Sequence, residues 1–459
     1  MRITIEDIFN LSTARIFNPD KFISAKTVVI DSRQVSKGSI FVAIKGKRFD
    51  GHNFIKAAVK NGANAIVISR RKLGEFDNIK IPLVTVNNTI KAYGELASIW
   101  RKKLNAKVIS ISGSNGKTTT KEIVATLLGE KFNVCKTHSN NNNQIGVPLT
   151  IFSADSKCEI LVLEHGTNHF GEIAYTAKIA NPDYALLTNI GDSHIEYLNN
   201  REGVLKEKLS LLEQTKANNG MIFLNIDDPM LKSIKNKFKN KITFGFKHKP
   251  DIKAELLGYT IQGSTELLIS GHRKNIKVKL PIAGRSAAID YLAAVSIAIK
   301  MGLTKKQILV GTAKIKSVKG RLNIINLKKM TLIDDTYNSN PQSVREAFEV
   351  LKRNKQHKSK IAVLGDMFEL GNTGVEHHKE LGRVVKKSKV DAVFTIGKLM
   401  ENLNNELLDS KIYHKHFKTR KSLKNFLIKI YLDDSVILIK GSRGMKMEEF
   451  AEIIIKRAA

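Results

Sequence analysis

The chain has little cysteine and no long hydrophobic run. Its two cysteines, Cys135 and Cys158, are too few for a disulfide framework or a cysteine-based zinc site, so a reducing compartment is expected. Apolar segments such as 291–299 are far shorter than the ~20 residues that span a bilayer. The start of the chain contains Glu6 and Asp7, whereas a signal peptide has a basic start and then an unbroken apolar stretch. These absences predict a soluble, cytoplasmic protein that does not insert into membranes.

Acidic residues are scarce relative to basic ones. The 76 lysines and arginines exceed the 43 aspartates and glutamates, which leaves a net charge of +33. Such an excess indicates either a surface that binds a polyanion or lysine enrichment spread over solvated faces. The lysines occur along nearly every segment, and no basic block contains the interleaved aromatic residues that stack on bases. We therefore predict no nucleic-acid partner, and a nucleic-acid-binding P-loop ATPase is kept as the rival from a different functional class.

Short hydrophobic runs alternate with longer helical patterns, which is typical of α/β domains whose parallel strands are covered on both faces. A chain of 459 residues is long enough for two to four domains. We predict three α/β domains, over residues 1–86, 87–319 and 320–459. Helices are predicted at 54–61, 90–104 and 201–212. Strands are predicted at 27–30, 40–44, 65–69, 83–86, 108–112, 160–163, 184–188, 221–225, 330–333, 360–364, 392–396 and 435–439, with hairpins over 241–281 at the edge of the central sheet.

A glycine-rich segment with the sequence Gly113-Ser114-Asn115-Gly116-Lys117-Thr118-Thr119 follows a predicted strand and precedes a helical pattern that starts near residue 120. Glycines let backbone N–H groups turn toward a phosphate, and the helix N-terminus adds partial positive charge. Lys117 would neutralise the β- and γ-phosphates of ATP, and Thr118 would offer its hydroxyl to Mg²⁺. The loop is shorter than G-x-x-x-x-G-K-[ST], because Ile111 stands where the first glycine is expected. An ordinary glycine turn is the alternative to this ATP-binding interpretation.

Two possible metal ligands end successive predicted strands of the same block. Glu164 ends the strand at 160–163, and His194 follows the next strand. Mg²⁺ bound to phosphates takes one or two carboxylates from the protein, and open α/β sheets bind ligands at the carboxyl ends of their strands. Either residue alone is more often an ordinary loop residue, but the pair beside a phosphate loop favours a metal site. Composition alone would interpret Lys208 as one of many solvated lysines.

These residues together resemble the Mur ligase family, the ATP-dependent amide-forming enzymes that build the peptide of bacterial cell-wall precursors. The resemblance covers essentially the whole chain. Residues 112–119 resemble the shortened phosphate loop of this family. Glu164 and His194 resemble its Mg²⁺ ligands, and Lys208 resembles its carbamylated lysine. The resemblance implies ATP, two Mg²⁺ ions held by Thr118, Glu164, His194 and a carbamylated Lys208, and three domains. These would be an N-terminal UDP-binding α/β domain, a central P-loop ATPase-type domain with a mostly parallel sheet, and a C-terminal Rossmann-like domain that binds a dipeptide.

Longer motifs, at 140–148, 334–341 and 364–371, are similar to those of the members that add D-alanyl-D-alanine to UDP-N-acetylmuramoyl-tripeptide. The resemblance therefore implies these two substrates. The third residue of the tripeptide, diaminopimelate or lysine, is left open. The residues that would contact the substrates are Ser32, Arg33, Lys45, Gly46, Asp50, His52, Thr137, Asn140, Asn142, Asn143, Tyr337, Asn338 and Asn340. Asp50-Gly51 is alternatively a plain turn.

The resemblance also implies the chemistry, in which the tripeptide carboxylate attacks the γ-phosphate of ATP and the dipeptide amine then attacks the acyl phosphate. Arg321 resembles the arginine that reaches the phosphates from the C-terminal domain, and Asp335 resembles the group that binds the ribose. The expected catalytic residues are therefore Lys117, His194, Lys208 and Arg321. The site would form only when the domains close, and we expect a monomer.

One segment departs from the family pattern. Where members usually carry asparagines associated with adenine, this chain has Ser286, Ala287 and Asp290. The side chain of Ala287 cannot form a hydrogen bond, so we expect adenine recognition to depend on backbone groups or on Asn225. The nearest rival enzymes are a tripeptide-forming Mur ligase and a folylpolyglutamate synthase, which would show a different motif at 335–341.

Overall fold

The computed structural model describes residues 1–260, 264–271 and 274–458, whose strands form three sheets in succession along the chain. Helices cover these sheets, which confirms the predicted α/β class with three sheet-centred units. Residues 261–263 and 272–273, which fall within the segment 241–281 predicted to form hairpins, and the last residue, Ala459, lie outside the described residues. No helix of the described chain is both long and apolar enough to cross a membrane.

The N-terminal sheet has five strands, and α/β packing buries both of its faces. Its strands are β1 (Arg15–Phe17), β2 (Thr27–Val29), β3 (Ser39–Val42), β4 (Ala63–Ser69) and β5 (Leu83–Val86), in the order β1-β5-β4-β3-β2. Its helices are α1 (Ile5–Phe9), α2 (Ile55–Lys60) and α3 (Thr89–Lys103). Apolar side chains alternate between the faces of β3 and β4, so that one set packs on α2 and the other on α3. Only β1 is antiparallel.

The central sheet has nine strands, in the order β14-β13-β12-β11-β10-β9-β6-β8-β7. They are β6 (Lys107–Ser112), β7 (Val134–Lys136), β8 (Ile160–Glu164), β9 (Tyr184–Leu187), β10 (Met221–Asn225), β11 (Lys241–Gly245), β12 (Ile252–Tyr259), β13 (Thr265–Gly271) and β14 (Lys274–Leu280). The accompanying helices are α4 (Lys117–Leu128), α5 (Gly146–Ser153), α6 (Glu172–Ala180), α7 (Ile195–Leu198), α8 (Arg201–Ala217), α9 (Pro229–Ser233), α10 (Arg285–Lys300) and α11 (Lys305–Ala313).

The prediction of hairpins over 241–281 is wrong at its beginning. β11 pairs in parallel with both β10 and β12, and only β12, β13 and β14 pair antiparallel. The parallel sheet therefore extends one strand further than expected. The physical reason is that Ile242 and Phe244 are buried in the same core as the parallel strands.

The C-terminal sheet has six strands, in the order β15-β16-β20-β17-β18-β19, with helices on both faces. They are β15 (Asn323–Asn326), β16 (Met330–Asp335), β17 (Ser359–Gly365), β18 (Ala392–Ile396), β19 (Tyr413–Phe417) and β20 (Ser435–Lys440). The helices are α12 (Pro341–Arg353), α13 (Gly374–Lys387), α14 (Met400–Glu406), α15 (Arg420–Lys429) and α16 (Glu448–Ala458). Only β15 is antiparallel, so the carboxyl ends of the other strands share one edge.

Candidate functional site

The phosphate loop connects β6 to α4 and ends at Gly116, which has a φ of 79°. A Cβ atom on Gly116 would lie 2.2 Å from an oxygen of Asp290, so both the backbone conformation and the space require glycine. Helix α4 begins at Lys117, three residues before the predicted start near 120. Because the loop leads directly into a helix N-terminus, the N–H groups of the first turn of α4 are suited to binding an anion.

Lys117 folds back over this loop. Its Nζ donates hydrogen bonds to the carbonyl oxygens of Gly113, at 2.8 Å, and Ser114, at 3.2 Å. Burial lowers the pKa of Lys117 to about 8; the charge of Glu164 opposes this shift and that of Arg321 adds to it. The ammonium group is thus held in the loop and only partly compensated, so an incoming phosphate would stabilise its charged form.

The loop is fastened to the segment that follows β9. The backbone N–H of Asn115 donates to Oδ1 of Asn189 at 2.9 Å, and Oγ of Ser114 accepts from the N–H of Gly191 at 2.9 Å. Both contacts fix the loop at the carboxyl ends of neighbouring strands, where open α/β sheets bind ligands.

Glu164 ends β8 beside the loop, and its carboxylate is buried. Oε1 accepts a hydrogen bond from Nδ2 of Asn142 at 2.9 Å, whereas Oε2 has no hydrogen-bond partner in the described chain. The nearest cation is Nζ of the fully buried Lys121, 3.8 Å from Oε2. A buried carboxylate oxygen without a partner is the kind of group that a cation satisfies.

His194 follows β9 and precedes α7, in a left-handed backbone conformation with a φ of 55°. Its Nδ1 lies 2.7 Å from Oε2 of Glu369, which belongs to the C-terminal domain. The hydroxyl of Thr118 accepts a hydrogen bond from Arg321 at 3.0 Å. Within the described residues, no group of three or more His, Cys, Asp or Glu side chains is arranged to hold a metal. A metal bound here would therefore take most of its ligands from phosphate and water.

Lys208 lies on α8 and is 1 % exposed, so its interpretation as a solvated lysine is wrong. Burial lowers its pKa well below the usual range, and the charge of Lys117 adds to this shift. A lowered pKa increases the fraction of neutral amine, which is the form that reacts with CO₂. The carboxylate of the adjacent Glu207 is engaged elsewhere, accepting N–H hydrogen bonds from Gly171 and Ile173 at 2.7 Å each.

The C-terminal domain contacts the phosphate loop directly. Besides its bond to Thr118, the Arg321 guanidinium lies over the ring of Tyr337, 4.1 Å from the centroid. Nδ2 of Asn340 donates to Oδ1 of Asn115 at 2.7 Å. The structure therefore brings the loop together with residues more than two hundred positions away in the sequence.

A cavity of about 610 Å³ lies between the central and C-terminal domains. Its lining includes residues of the phosphate loop, residues of the motif at 334–341, and two of the four predicted metal ligands, Glu164 and His194; Thr118 and Lys208 are not among the lining residues. The residues among the sequence predictions that line it are Ser114, Asn115, Gly116, Lys117, Thr119, Asn142, Glu164, His194, Asn225, Ser286, Ala287, Asp290, Arg321, Asp335, Tyr337, Asn338 and Asn340.

Two residues predicted for nucleotide recognition are already engaged inside the protein. Asp335 accepts a hydrogen bond from Nζ of the buried Lys440 at 2.5 Å and another from the N–H of Leu322 at 3.1 Å. Asn225 donates to the carbonyl of Thr188 at 2.9 Å and accepts from the N–H of Asp227 at 3.1 Å. Both residues also line the cavity. Their roles in binding ribose and adenine stay predictions.

The segment that departs from the family pattern lies at the start of α10. It places Asp290 against the phosphate loop, and Glu346 lines the same cavity. Burial raises the pKa of Asp290 well above its usual range, and the charge of Glu346 adds to this shift. Burial also raises the pKa of Glu346. Glu346 is not among the residues predicted from the sequence, because it lies on α12 and reaches the cavity only through the tertiary fold.

The asparagine-rich segment before α5 is largely used for structure. Thr137 is fully buried and its Oγ1 accepts from the N–H of Glu164 at 3.0 Å, so a direct substrate contact is not supported. Oδ1 of Asn143 accepts from the N–H groups of Ile145 and Gly146, at 3.0 and 2.9 Å. Asn140 is exposed.

The residues predicted to bind uridine diphosphate lie apart from this cavity, at the edge where β2, β3 and β4 end. Ser32 follows β2, and Lys45 and Gly46 follow β3. Arg33 is exposed and forms an ion pair with Asp31 at 2.7 Å. Neighbouring parallel strands end at one edge, so the structure gathers these residues on one side of the sheet.

Asp50 and His52 form a chain of contacts at the same edge. Oδ1 of Asp50 lies 2.6 Å from Nδ1 of the buried His52, and Nε2 of His52 accepts from the N–H of Ser69, at the end of β4, at 3.0 Å. Both residues therefore also have the structural role that the turn interpretation indicated.

Comparison with known proteins relates the whole chain to one family. Residues 24–101, 111–298 and 320–443 match the family models described as Mur ligase family, catalytic domain; Mur ligase middle domain; and Mur ligase, glutamate ligase domain. The chain is 32% identical to the UDP-N-acetylmuramoyl-tripeptide--D-alanyl-D-alanine ligase of Bacillus subtilis (strain 168), over 99% of this chain and 98% of that protein.

Solved structures also relate the chain to this family. The crystal structure of MurF from Acinetobacter baumannii superposes with a TM-score of 0.89 at 29% identity, covering 99% of both chains. The MurF ligase from Thermotoga maritima in complex with ADP has a TM-score of 0.84 at 31% identity, covering 95% of this chain and 98% of that one.

Proposed function

Since the chain belongs to the Mur ligase family, we propose that it joins D-alanyl-D-alanine to UDP-N-acetylmuramoyl-tripeptide at the expense of ATP, a step of peptidoglycan precursor synthesis. The relatives that carry this name match nearly the full length of the chain. The single observation that carries the proposal is the convergence of Lys117 and Arg321, from different domains, on the phosphate loop.

The reaction has two steps. The terminal carboxylate of the tripeptide attacks the γ-phosphate of ATP, which forms an acyl phosphate and releases ADP. The amine of the dipeptide then attacks the acyl carbon, which forms the amide and releases inorganic phosphate. Lys117, Arg321 and the N–H groups at the start of α4 neutralise charge on the phosphates in both steps.

The contacts between the C-terminal domain and the phosphate loop also account for the exclusion of water. Arg321 and Asn340 reach the loop only because the C-terminal domain lies against the central domain. A closed arrangement shields the acyl phosphate from hydrolysis until the amine arrives. Tyr337 and Asn338 line the C-terminal side of the cavity, where the proposed dipeptide would bind.

The cavity also fits Mg²⁺, because Oε2 of Glu164 is buried without a hydrogen-bond partner, with only Nζ of Lys121 at 3.8 Å, and lies near the loop. Glu164, His194 and Thr118 would hold the ion, and a carbamate on Lys208 would add a further carboxylate for a second one. Bound Mg²⁺ would supply charge neutralisation on the transferred phosphoryl group. The lowered pKa of Lys208 supports the carbamate, since only the neutral amine reacts with CO₂.

An assay of ADP release tests the proposal directly. We expect ADP to form when ATP, D-alanyl-D-alanine and a UDP-linked muramoyl tripeptide are all present, and not when a single amino acid replaces the dipeptide. Lys117→Ala should lower turnover by about 10² to 10³-fold while leaving binding of the UDP-linked substrate largely intact.

The matched control is Lys102→Ala, because Lys102 is an exposed lysine on α3. It should keep full activity. Retained turnover in Lys117→Ala, or amide formation with single amino acids but not with the dipeptide, would contradict the proposed function.

A further inference from the structure

His194 contacts the C-terminal domain through Glu369, a residue that is not among the site residues predicted from the sequence. Oε2 of Glu369 lies 2.7 Å from Nδ1 of His194, a close charge contact and not an aligned hydrogen bond. The carbonyl of Glu369 also accepts a hydrogen bond from the N–H of Glu196, at 3.3 Å. Side chain and backbone of one residue therefore both contact the segment that begins α7.

Both partners of this contact have an uncommon backbone conformation. The φ angles are 55° at His194 and 62° at Glu369, in the left-handed region that residues other than glycine rarely adopt. Such conformations persist where surrounding contacts determine them, and they cluster at functional sites. The two loops are thus shaped so that these side chains meet.

The loop that carries Glu369 is held from within its own domain. The N–H of Met367 donates to Nε2 of the buried His378 at 3.1 Å, and the N–H of Phe368 donates to Oγ of Ser442 at 2.8 Å. These bonds fasten the two residues that precede Glu369. The carboxylate is therefore presented by a fixed loop, and its position relative to His194 depends on how the domains are arranged.

The placement of the carboxylate has a chemical consequence for the imidazole. A carboxylate at one ring nitrogen of histidine favours the proton on that nitrogen and leaves the other nitrogen with a lone pair for a ligand. Both side chains line the cavity between the domains, together with Lys117. Glu369 can therefore set the orientation of a group in the phosphate site without touching the substrate.

We propose that Glu369 is a positioning residue, supplied by the C-terminal domain, that orients His194 only when the two domains are closed. This inference rests on the proposed function, and it extends that function by linking domain closure to the phosphate site through one residue pair. Arg321 and Asn340 bring groups to the loop on closure, whereas Glu369 acts on a residue that the central domain already holds.

The test compares the effect of Glu369→Ala in two backgrounds. In the wild-type background, the Mg²⁺ concentration for half-maximal binding of ATP should rise about tenfold, as is typical when a carboxylate behind a ligating histidine is removed. In the His194→Ala background the same substitution should have no further effect. Glu369→Gln keeps the size of the side chain and an oxygen near Nδ1 but loses the charge, so it should show a rise smaller than that of Glu369→Ala.

The matched control is Glu376→Ala, because Glu376 is an exposed acid on α13 of the same domain, 66% exposed and 3.6 Å from Arg383. Small-angle X-ray scattering of the ligand-free proteins gives an independent readout. The radius of gyration of Glu369→Ala should exceed that of Glu376→Ala, because one contact that holds the domains together has been lost.

Equal radii of the two variants, an unchanged Mg²⁺ requirement in Glu369→Ala, or an equal effect in the His194→Ala background would each overturn the inference. Because ATP binding and scattering do not require ligation, the outcome is separate from that of the proposed function. Wild-type protein that binds ATP but forms no amide would refute the proposed function and leave this comparison intact.

Discussion

Four lysines near the cavity differ in how their charge is compensated. Nζ of Lys440 lies 2.5 Å from Asp335, and that of Lys121 lies 3.1 Å from Glu122, so both are paired with carboxylates. Lys117 and Lys208 have no ion-pair partner within the described chain, and burial lowers the pKa of each. Strongly perturbed groups in a cleft are those most often used in chemistry. At the scale of the residue, the chain thus separates structural lysines from candidate functional ones.

The pKa of Lys117 leads to a prediction for ATP binding. Because burial lowers this pKa to about 8, the ligand-free protein loses the proton from Lys117 as the pH rises above 8, and the phosphates of ATP must then restore it. ATP affinity should change little between pH 7 and 7.5 and weaken above pH 8, by up to about tenfold per unit. Calorimetry at pH 8.5 in buffers of different ionisation enthalpy should show proton uptake on binding.

Lys117→Met removes the titrating group, so its residual ATP binding should be weak and independent of pH over this interval. An unchanged pH dependence in this variant would show that another group titrates. The free energy of unfolding should change with pH in the opposite direction to ATP affinity. Between pH 8 and 10.5 the unfolded chain binds a proton at Lys117 that the folded protein has lost, so the folded protein becomes more stable as the pH rises.

Residues that carry a local motif could be predicted, but their partners could not. Lys117, Glu164 and Arg321 were identified because a glycine loop, a strand end or a family motif marks each of them, and the structure places all three around one cavity. Glu346 and Lys440 reach it from distant elements, so no spacing in the sequence relates them to the loop. Glu369 belongs to a motif that was noticed, yet only the tertiary structure shows that it meets His194.

At the scale of the element, burial decides which strands the sequence reveals. The predicted strand at 392–396 coincides with β18, whose residues are all buried. The missed strands β1 and β19 lie at the edges of their sheets, and alternate residues of both are exposed. An edge strand needs no continuous apolar run, because one side and part of its faces meet water. Sheet interiors were therefore predictable. Among the edge strands, β2 was predicted at 27–30, whereas β1, β7, β15 and β19 were missed.

The start of α12 gives a prediction in which stability and function can be separated. Asn340 is the N-cap, since its Oδ1 accepts from the N–H of Ser343 at 2.9 Å, while its Nδ2 donates to Asn115 in the phosphate loop. Asn340→Ala should lower the free energy of unfolding by about 1 kcal/mol and also weaken ATP binding. Asn340→Asp keeps the cap but cannot donate to Asn115, so it should weaken ATP binding with little loss of stability.

Thr304→Ala is the matched control, because Thr304 caps α11 with the same capping-box pattern outside the cavity lining. It should lose a similar free energy of unfolding in urea and bind ATP normally. Wild-type affinity for ATP in Asn340→Asp would contradict a role for the contact between Asn340 and Asn115.

At the scale of the whole molecule, the net charge of +33 is spread over all three sheet-centred units. Exposed lysines such as Lys26, Lys249 and Lys389 occur in the first, second and third of them. Several of the basic groups that line the cavity are instead held by specific partners, as Arg321 is by Thr118 and Lys440 is by Asp335. A dispersed charge attracts anionic substrates in general, whereas a nucleic-acid site concentrates its charge on one face.

The dispersed positive charge predicts how DNA binding depends on salt. This dependence distinguishes the proposed ligase from the rival nucleic-acid-dependent ATPase. Double-stranded DNA should bind only through non-specific contacts, with a dissociation constant no tighter than ~10⁻⁶ M near 0.15 M salt and a further loss of affinity at 0.3 M. DNA should not stimulate ATP hydrolysis, because the phosphate loop lines the cavity between the central and C-terminal domains and the exposed lysines are dispersed. A fluorescence-anisotropy titration and an ADP-release assay, each performed across the salt series, measure both quantities. Nanomolar binding at 0.15 M salt together with stimulated hydrolysis would instead favour the nucleic-acid-dependent ATPase.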